Sequence, residues 1–162
     1  MYKFTGFTEK ANTALNHAVQ IAEDLGHTYI GSEHILIGLA KEGGTIASKV
    51  LSDRRITADV LIEQVKKSVG VGIPTSLTPN DFTPRSKNII ELAASAARSM
   101  GLSLVGTEHL LLAIVHEGSS FAANLLVQLG VSPNDIINDI NKAMMGSAPK
   151  DGISGRQSSS GS

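Results

Sequence analysis

The sequence predicts an all-α protein, and two properties of the chain support this prediction. Hydrophobic residues make up 41% of the 162 residues but aromatic residues only 4%, so the core must consist mainly of Ala, Leu, Ile and Val. A core of this composition favours helices over sheets. In addition, apolar residues recur at spacings of three and four, for example at Ala11, Ala14, Leu15 and Ala18, which is the period of a helix with one buried face.

The chain contains an internal repeat. A shift of 75 residues aligns its two halves without a gap and places Phe7 on Phe82. The same shift aligns a Gly-[Ser/Thr]-Glu-His box at residues 31–34 with one at residues 106–109. We therefore expect eight helices, arranged as two pseudo-symmetric units of four helices that pack into one globular domain.

In the first half, three of the four predicted helices begin at a hydroxyl residue that can cap the first turn. These residues are Thr8, Ser32 and Thr57, and a short third helix is expected over about residues 45–52. Gly26 is expected to end the first helix in the left-handed conformation, and Gly43-Gly44 to end the second.

The second half repeats this plan with stronger start signals. Thr83-Pro84 and Ser132-Pro133 each place a capping residue before a proline in the first turn. We expect one domain over residues 1–146, with repeat one at about 7–70, a linker at 71–81 and repeat two at about 82–146. Residues 147–162 are rich in Gly and Ser, which predicts a flexible linker or tail.

Charge and composition exclude several classes of function. The chain has 14 basic and 15 acidic residues, so nucleic acid and membrane surfaces are not expected as partners. It has no cysteine and no apolar run long enough for a membrane span, which predicts a cytoplasmic protein. No P-loop and no G-x-S-x-G elbow occur. We therefore expect no enzyme activity, no metal and no cofactor in this chain.

Histidine offers only weak evidence for catalysis or metal binding. His34 and His109 each follow a glutamate, but neighbours on a helix point about 100° apart, so the pair cannot chelate one ion. We expect both histidines to pack or hydrogen-bond near their helix starts, although an enzyme that uses His34 or His109 with the adjacent Glu stays open. The others, His17, His27 and His116, have no counterpart in the opposite half and are expected at the surface.

Four residues are the candidate ligand-binding groups. Glu33 and Glu108 are expected at the first helical position, after a capping Ser32 or Thr107, and near the surface. A carboxylate there can stabilise the helix or accept a guanidinium through two hydrogen bonds. Thr8 and Thr83 precede helix N–H groups that can receive a phosphate. The recurrence of cap and carboxylate in both halves indicates two equivalent places for a ligand that carries both charges.

The two segments that start with Phe7-Thr8 and Phe82-Thr83 and contain the Glu-His boxes resemble the N-terminal Clp repeats of bacterial Clp ATPases, most of all the ClpC type. The resemblance covers about residues 4–145. It implies a non-catalytic domain that docks adaptors and protein substrates for an AAA+ unfoldase ring of the same chain, which would use ATP and feed a ClpP-type protease. The isolated domain is expected to be a monomer.

The resemblance also implies recognition of phosphoarginine-tagged substrates, with Glu33 and Glu108 at the guanidinium and Thr8 and Thr83 near the phosphate. One departure from the family pattern is the charged Asp53-Arg54-Arg55. A free-standing Clp-repeat protein that modulates a Clp protease, or acts in a stress-related interaction, is the alternative.

Overall fold

The computed structural model describes residues 1–145, and eight α-helices follow one another along this part of the chain. They are α1 (Glu9–Asp24), α2 (Ser32–Lys41), α3 (Ile46–Asp53), α4 (Ala58–Val69), α5 (Pro84–Ser99), α6 (Thr107–Glu117), α7 (Phe121–Gln128) and α8 (Pro133–Met145). The all-α prediction is confirmed. A 3₁₀ turn, Pro79–Asp81, lies between α4 and α5. The predicted tail, residues 147–162, lies outside the described residues.

Most helix starts follow the predicted capping residues. Thr8, Thr57 and Thr83 each accept a hydrogen bond from the backbone N–H three residues later. Gly26 follows the end of α1 with a φ of +73°, as expected for a left-handed residue.

The predicted cap at Ser32 is wrong, because Gly31 is the cap residue of α2 and Ser32 is already helical. The Gly31 N–H donates to His34 Nδ1 at 2.9 Å, so an imidazole closes this helix start instead of a hydroxyl. The Ser32 hydroxyl oxygen instead accepts a hydrogen bond from the Ala122 N–H, 3.0 Å away at the start of α7. Ser32 therefore links the two halves.

Helices α2 and α6 occupy the centre of the fold. Helix α2 packs against α1, α3 and α4 of its own half and against α5, α6 and α7 of the other. All residues over 32–39 of α2 and 107–115 of α6 are buried. At the crossing of α1 and α2, a Cβ on Gly38 would lie 2.3 Å from the Ala14 carbonyl oxygen, so glycine permits this close approach. One hydrophobic cluster includes residues from both halves.

The two halves exchange the segments that lead into their first helices. The Thr8 N–H donates to the Val105 carbonyl oxygen at 2.9 Å, and the Thr83 N–H donates to the Ile30 carbonyl oxygen at 3.0 Å. The start of α1 therefore lies beside the start of α6, and the start of α5 beside that of α2. This reciprocal exchange agrees with the repeat found in the sequence.

The linker between the halves follows the C-terminal end of α1. The Gly72 N–H donates to the Leu25 carbonyl oxygen at 2.8 Å, and the Leu77 N–H donates to Glu23 Oε2 at 2.7 Å. A Cβ on Gly26 would lie 2.1 Å from the Gly72 carbonyl carbon. Only glycine at position 26 therefore allows the linker to lie this close.

The charged segment Asp53-Arg54-Arg55 also connects the halves. Arg54 Nε lies 2.5 Å from Asp139 Oδ2 in α8. Arg55 has a φ of +63°, and the equivalent position in the second half is Gly130, with a φ of +85°.

Between residues 1 and 145 no single helix is long and apolar enough to cross a membrane. Helices α6 and α7 taken together meet the criterion of length and composition, but they are bent by 84° at the break between them.

Candidate ligand-binding site

The exchange of leading segments determines which candidate residues are neighbours. Thr8 lies beside Val105, two residues before α6, so it belongs with the box that contains Glu108. Thr83 lies beside Ile30, two residues before α2, so it belongs with the box that contains Glu33. Each candidate site therefore combines a threonine from one half with a glutamate from the other, and two helix N-termini meet there. The sequence could not indicate this crossing.

Both threonines already act as caps. Thr8 Oγ1 accepts from the Ala11 N–H at 3.1 Å, and Thr83 Oγ1 accepts from the Ser86 N–H at 3.0 Å. The first N–H groups of a helix have no acceptor within the helix, so the start of α1 retains donors for an anion. Helix α5 retains one fewer, because its first residue is Pro84.

The two glutamates lie at the second helical position rather than the first, because Ser32 and Thr107 are helical. Their expected surface position is wrong: Glu33 is 4% exposed and Glu108 is fully buried. Burial raises the pKa of Glu33, while hydrogen bonds from its own backbone N–H and from Tyr29, and the nearby His27, oppose the rise. A ligand must therefore displace covering groups to reach the carboxylates.

A chain of hydrogen bonds links the box that contains Glu33 to the Gly70 carbonyl oxygen. His27 Nδ1 lies 2.8 Å from His34 Nε2, and His27 Nε2 lies 2.9 Å from the Gly70 carbonyl oxygen. Because His34 Nδ1 accepts from the Gly31 N–H, a neutral His34 carries its proton on Nε2 and donates it to His27. His27 then donates from Nε2 to Gly70. All four ring nitrogens are engaged in hydrogen bonds in this arrangement.

The structure thus corrects two of the expectations for histidine. His27 is 6% exposed instead of lying at the surface, and His17 is half-buried, with Nε2 3.0 Å from Glu42 Oε1. His116 is exposed, as predicted. His34 and His109 do hydrogen-bond at their helix starts, because each Nδ1 accepts the N–H of the box glycine at 2.9 Å.

These contacts are relevant to the alternative in which the chain is an enzyme that uses His34. His34 is fully buried and both its ring nitrogens are engaged, and burial lowers its pKa to about 3, with the nearby His27 as a smaller cause. Such a histidine is poorly placed to accept a proton from a substrate at neutral pH. Among residues 1–145, no group of three or more His, Asp or Glu side chains is arranged to hold a metal ion.

Tyr29 also lies beside the first box, although no sequence motif pointed to it. Its ring is stacked on His27, with centroids 5.6 Å apart and planes 6° apart, and lies 5.4 Å from the His34 ring. Burial, followed by the charge of the nearby Glu33 carboxylate, raises the pKa of Tyr29 to about 12. The available signal was a difference between the halves, because the shift of 75 residues places Leu104 at the position of Tyr29.

The fold and the crossed helix starts define a helical domain with two similar candidate sites. The family model for the Clp repeat (R) N-terminal domain matches residues 6–129 and 81–161. The chain therefore belongs to the Clp repeat N-terminal domain family, and the resemblance seen in the sequence is confirmed.

Similar proteins agree with this assignment. The chain is 41% identical over 159 residues to the chaperone protein ClpB of Oceanobacillus iheyensis, an alignment that covers 96% of this chain and 19% of that protein. It is 44% identical over 131 residues to the negative regulator of genetic competence ClpC/MecB of Bacillus subtilis, over 81% of this chain and 16% of that protein. The chain thus spans less than a fifth of the length of these relatives.

A solved structure shows the same fold. The N-terminal domain of the chaperone ClpD from Arabidopsis thaliana superposes with a TM-score of 0.71 at 23% identity, over 90% of this chain and 98% of that one. The N-domain of ClpV from Vibrio cholerae superposes with a TM-score of 0.66 at 15% identity, over 86% and 84% of the two chains.

Proposed function

We propose that this chain is the non-catalytic docking domain of a Clp ATPase, which binds adaptors and protein substrates and delivers them to an AAA+ ring and a ClpP-type protease. The family assignment and the relatives, which are several times longer than this chain, support the proposal. The proposed ligand is phosphoarginine on substrate proteins. The observation that supports this ligand is that, in two places, a threonine-capped helix start lies beside the helix start that contains a glutamate of the other half.

The chemistry of the two sites fits the two charges of phosphoarginine. The guanidinium presents parallel N–H donors that match the two oxygens of Glu33 or Glu108. The phosphoryl group is attracted to the helix N-terminus beside it, at Thr8 or Thr83. Desolvation of the carboxylate and screening offset part of this attraction, so we expect an affinity of about micromolar. A complex of this affinity dissociates readily, so the substrate can leave the domain when the AAA+ ring pulls on it.

The proposal is tested by fluorescence anisotropy with a labelled phosphoarginine peptide. Because both carboxylates are buried, the isosteric double variant Glu33→Gln/Glu108→Gln is preferred to alanine. We expect it to abolish binding and to keep its helical circular dichroism. Glu91→Gln, which changes an exposed glutamate of α5, is the matched control and should bind as the wild type does.

Two further comparisons separate the ligand from general charge effects. The unphosphorylated arginine peptide and a phosphoserine peptide should each bind at least about tenfold more weakly, because each lacks one of the two charges. If the folded double variant binds the peptide as the wild type does, Glu33 and Glu108 do not belong to the binding site. Binding of an adaptor without competition from free phosphoarginine would show that docking uses another surface.

The coupling to an ATPase ring is tested separately. The reading frame beyond Ser162 should encode an ATP-binding module, and the joined protein should degrade a phosphoarginine-tagged substrate with ClpP faster than one that lacks residues 1–145. A stop codon at that point would favour the free-standing alternative, a modulator of a Clp protease.

A further inference from the structure

Two asparagines on α1 hold the segment that precedes this helix. The Tyr2 N–H donates to Asn16 Oδ1 at 2.7 Å, and Asn16 Nδ2 donates to the Tyr2 carbonyl oxygen at 2.8 Å. In the same way, the Phe4 N–H donates to Asn12 Oδ1 at 2.6 Å, and Asn12 Nδ2 donates to the Phe4 carbonyl oxygen at 3.1 Å. Each carboxamide therefore binds both polar groups of one backbone residue.

The spacing of these asparagines matches an extended peptide. Residues four apart on a helix share a face and lie about 6 Å apart along its axis. Alternate residues of an extended chain lie about 6.6 Å apart and turn their polar backbone groups to the same side. Carboxamides at i and i+4 can therefore bind residues two apart in any extended segment, because the contacts use only backbone atoms.

One side chain of the segment over residues 1–4 is anchored between the halves of the domain. The Phe4 ring meets the rings of Phe7 and Phe82 edge-on, with centroids 6.4 and 6.2 Å away. Residues 1–3, by contrast, are exposed. The segment is therefore held mainly by one aromatic ring and by backbone hydrogen bonds, and another peptide with an aromatic residue can make the same contacts.

A surface cavity of about 420 Å³ continues this face of α1 beyond Tyr2. Side chains of α1 that include Asn16, Gln20 and Glu23 line it. Gln20 is a third carboxamide at the same spacing of four, and its Nε2 donates to Asp24 Oδ1 at 2.9 Å. A bound peptide that extends two residues beyond the Tyr2 position would pass over the cavity and bring its backbone opposite Gln20.

The three carboxamides have no counterpart in the second half. The shift of 75 residues places Lys87, Glu91 and Ser95 at the positions of Asn12, Asn16 and Gln20. A carboxamide offers both a donor and an acceptor, whereas a charged Lys or Glu offers only one of the two. This arrangement is therefore separate from the two sites that the repeat generates.

We propose that the α1 groove, defined by Asn12, Asn16 and Gln20, docks an extended segment of an unfolded protein substrate, which displaces residues 1–4 as the resident occupant. The fitting partner carries an aromatic residue that replaces the Phe4 ring. This inference rests on the proposed function, in which the domain docks protein substrates, but it does not require phosphoarginine.

Fluorescence anisotropy on the full chain tests the groove with an acetylated peptide of residues 1–6, labelled at its C-terminal end. Phe4→Ala weakens the resident segment and leaves the carboxamides in place, so this variant should bind the peptide about tenfold more tightly than the wild type does. Adding Asn16→Asp removes a donor and should weaken binding at least about tenfold. Adding Asn88→Asp instead, at an exposed asparagine of α5, should leave the affinity unchanged.

The outcomes of this titration decide the inference once circular dichroism shows that each variant is folded. If Phe4→Ala binds the peptide no more tightly than the wild type, residues 1–4 do not compete for the groove and the inference is overturned. It is also overturned if Asn16→Asp has no more effect than Asn88→Asp, because the carboxamide then does not hold the peptide.

Altered peptides test the aromatic anchor. A peptide with Phe4→Ser should bind the Phe4→Ala protein about tenfold more weakly, whereas a peptide with Lys3→Ser should bind equally well, because Lys3 is exposed in the resident segment. Equal binding of the two altered peptides contradicts the anchor. Dimerisation of the wild type in sedimentation that Phe4→Ala abolishes would identify a second copy as the occupant and overturn the proposal.

Competition with a whole protein chain tests substrate docking. Reduced, carboxymethylated α-lactalbumin, which is unfolded, should displace the labelled peptide, and the native protein should not; failure of the unfolded chain to compete overturns the proposal. The result is independent of the phosphoarginine titration. Peptide binding without phosphoarginine binding would reject only the proposed ligand, and phosphoarginine binding without peptide binding would reject only the α1 groove.

Discussion

His34 Nε2 lies 2.8 Å from His27 Nδ1 in the interior of the first half. The contact requires one proton between the two nitrogens, and the other nitrogen of His34 accepts from the Gly31 N–H. An added proton on His34 Nδ1 would set two N–H groups against each other, and an added proton on His27 Nδ1 would do the same. The chain of hydrogen bonds therefore holds only when both rings are neutral.

The first prediction is that stability falls at acid pH because of His34. The pKa of His34 is lowered from 6.5 to about 3. Between these two pH values the His34 side chain is therefore protonated in the unfolded chain but not in the folded protein. The contribution of this group is complete above pH 6.5 and is lost toward pH 3, by at most about 1.4 kcal/mol per pH unit. The raised pKa of Glu33 acts in the opposite direction, because it favours folding as its carboxyl takes up a proton.

Urea denaturation between pH 7.5 and pH 5 isolates this effect through matched variants. His34→Asn retains an acceptor for the Gly31 N–H but cannot be protonated, so its free energy of unfolding should change less with pH than that of the wild type. His116→Asn alters an exposed histidine and should leave the wild-type slope unchanged. If the free energy of unfolding changes equally with pH in all three proteins, His34 is protonated in the folded state and the prediction is wrong.

The second prediction concerns the approach of the linker to Gly26. Gly26→Ala should lose about 1 kcal/mol from the left-handed backbone and a further 1 to 3 kcal/mol, roughly, because the new Cβ would lie 2.1 Å from the Gly72 carbonyl carbon. Gly101 is the matched position, with a φ of +76° and no atom within 4 Å of an added Cβ. Gly101→Ala should therefore show only the first loss in urea denaturation. Equal losses of stability in the two variants would contradict the prediction, because the linker would then move away from residue 26 at no cost in free energy.

Helix starts were the part of the fold best predicted from sequence. Caps at Thr8, Thr57 and Thr83 act within three residues of their own chain position, so their signal is local. The hydroxyl of Ser32 looked like another local cap, but its partner, the Ala122 N–H, lies in the other half. No pattern within one helix can indicate a partner that only the packing of the halves brings close.

The sequence indicated the candidate residues, which stay a prediction, but not how they are arranged. The repeat identified Glu33, Glu108, Thr8 and Thr83, since each pair aligns after the shift. Their crossed pairing follows from the exchange of the leading segments, and their burial follows from the central position of α2 and α6. Both depend on how the halves pack, which the sequence of one half does not contain.

The third prediction is that Ser32 stabilises the contact between the halves. It is 3% exposed, and Ser32→Ala would leave the Ala122 N–H at the start of α7 without its acceptor. The loss should be about 1 to 2 kcal/mol in the free energy of unfolding. Ser52→Ala is the control, because the exposed Ser52 hydroxyl donates only to the Lys49 carbonyl oxygen of its own helix. Its effect should stay within about 0.5 kcal/mol, and a similar loss in both variants would contradict the prediction.

The fourth prediction is that Arg55→Gly stabilises the domain. Arg55 has a φ of +63°, which costs a residue with a Cβ about 1 kcal/mol, and the second half has Gly130 in the equivalent turn. The variant retains the backbone hydrogen bond from position 55 to the Ser52 carbonyl oxygen. Glycine also gives the unfolded chain more freedom, so the net gain should be about 0.5 kcal/mol, seen as a rise of a few degrees at most in Tm. Gly130→Ala, the reciprocal change, should lower Tm, and a lower Tm in Arg55→Gly would show that the arginine side chain contributes more than its backbone strain costs.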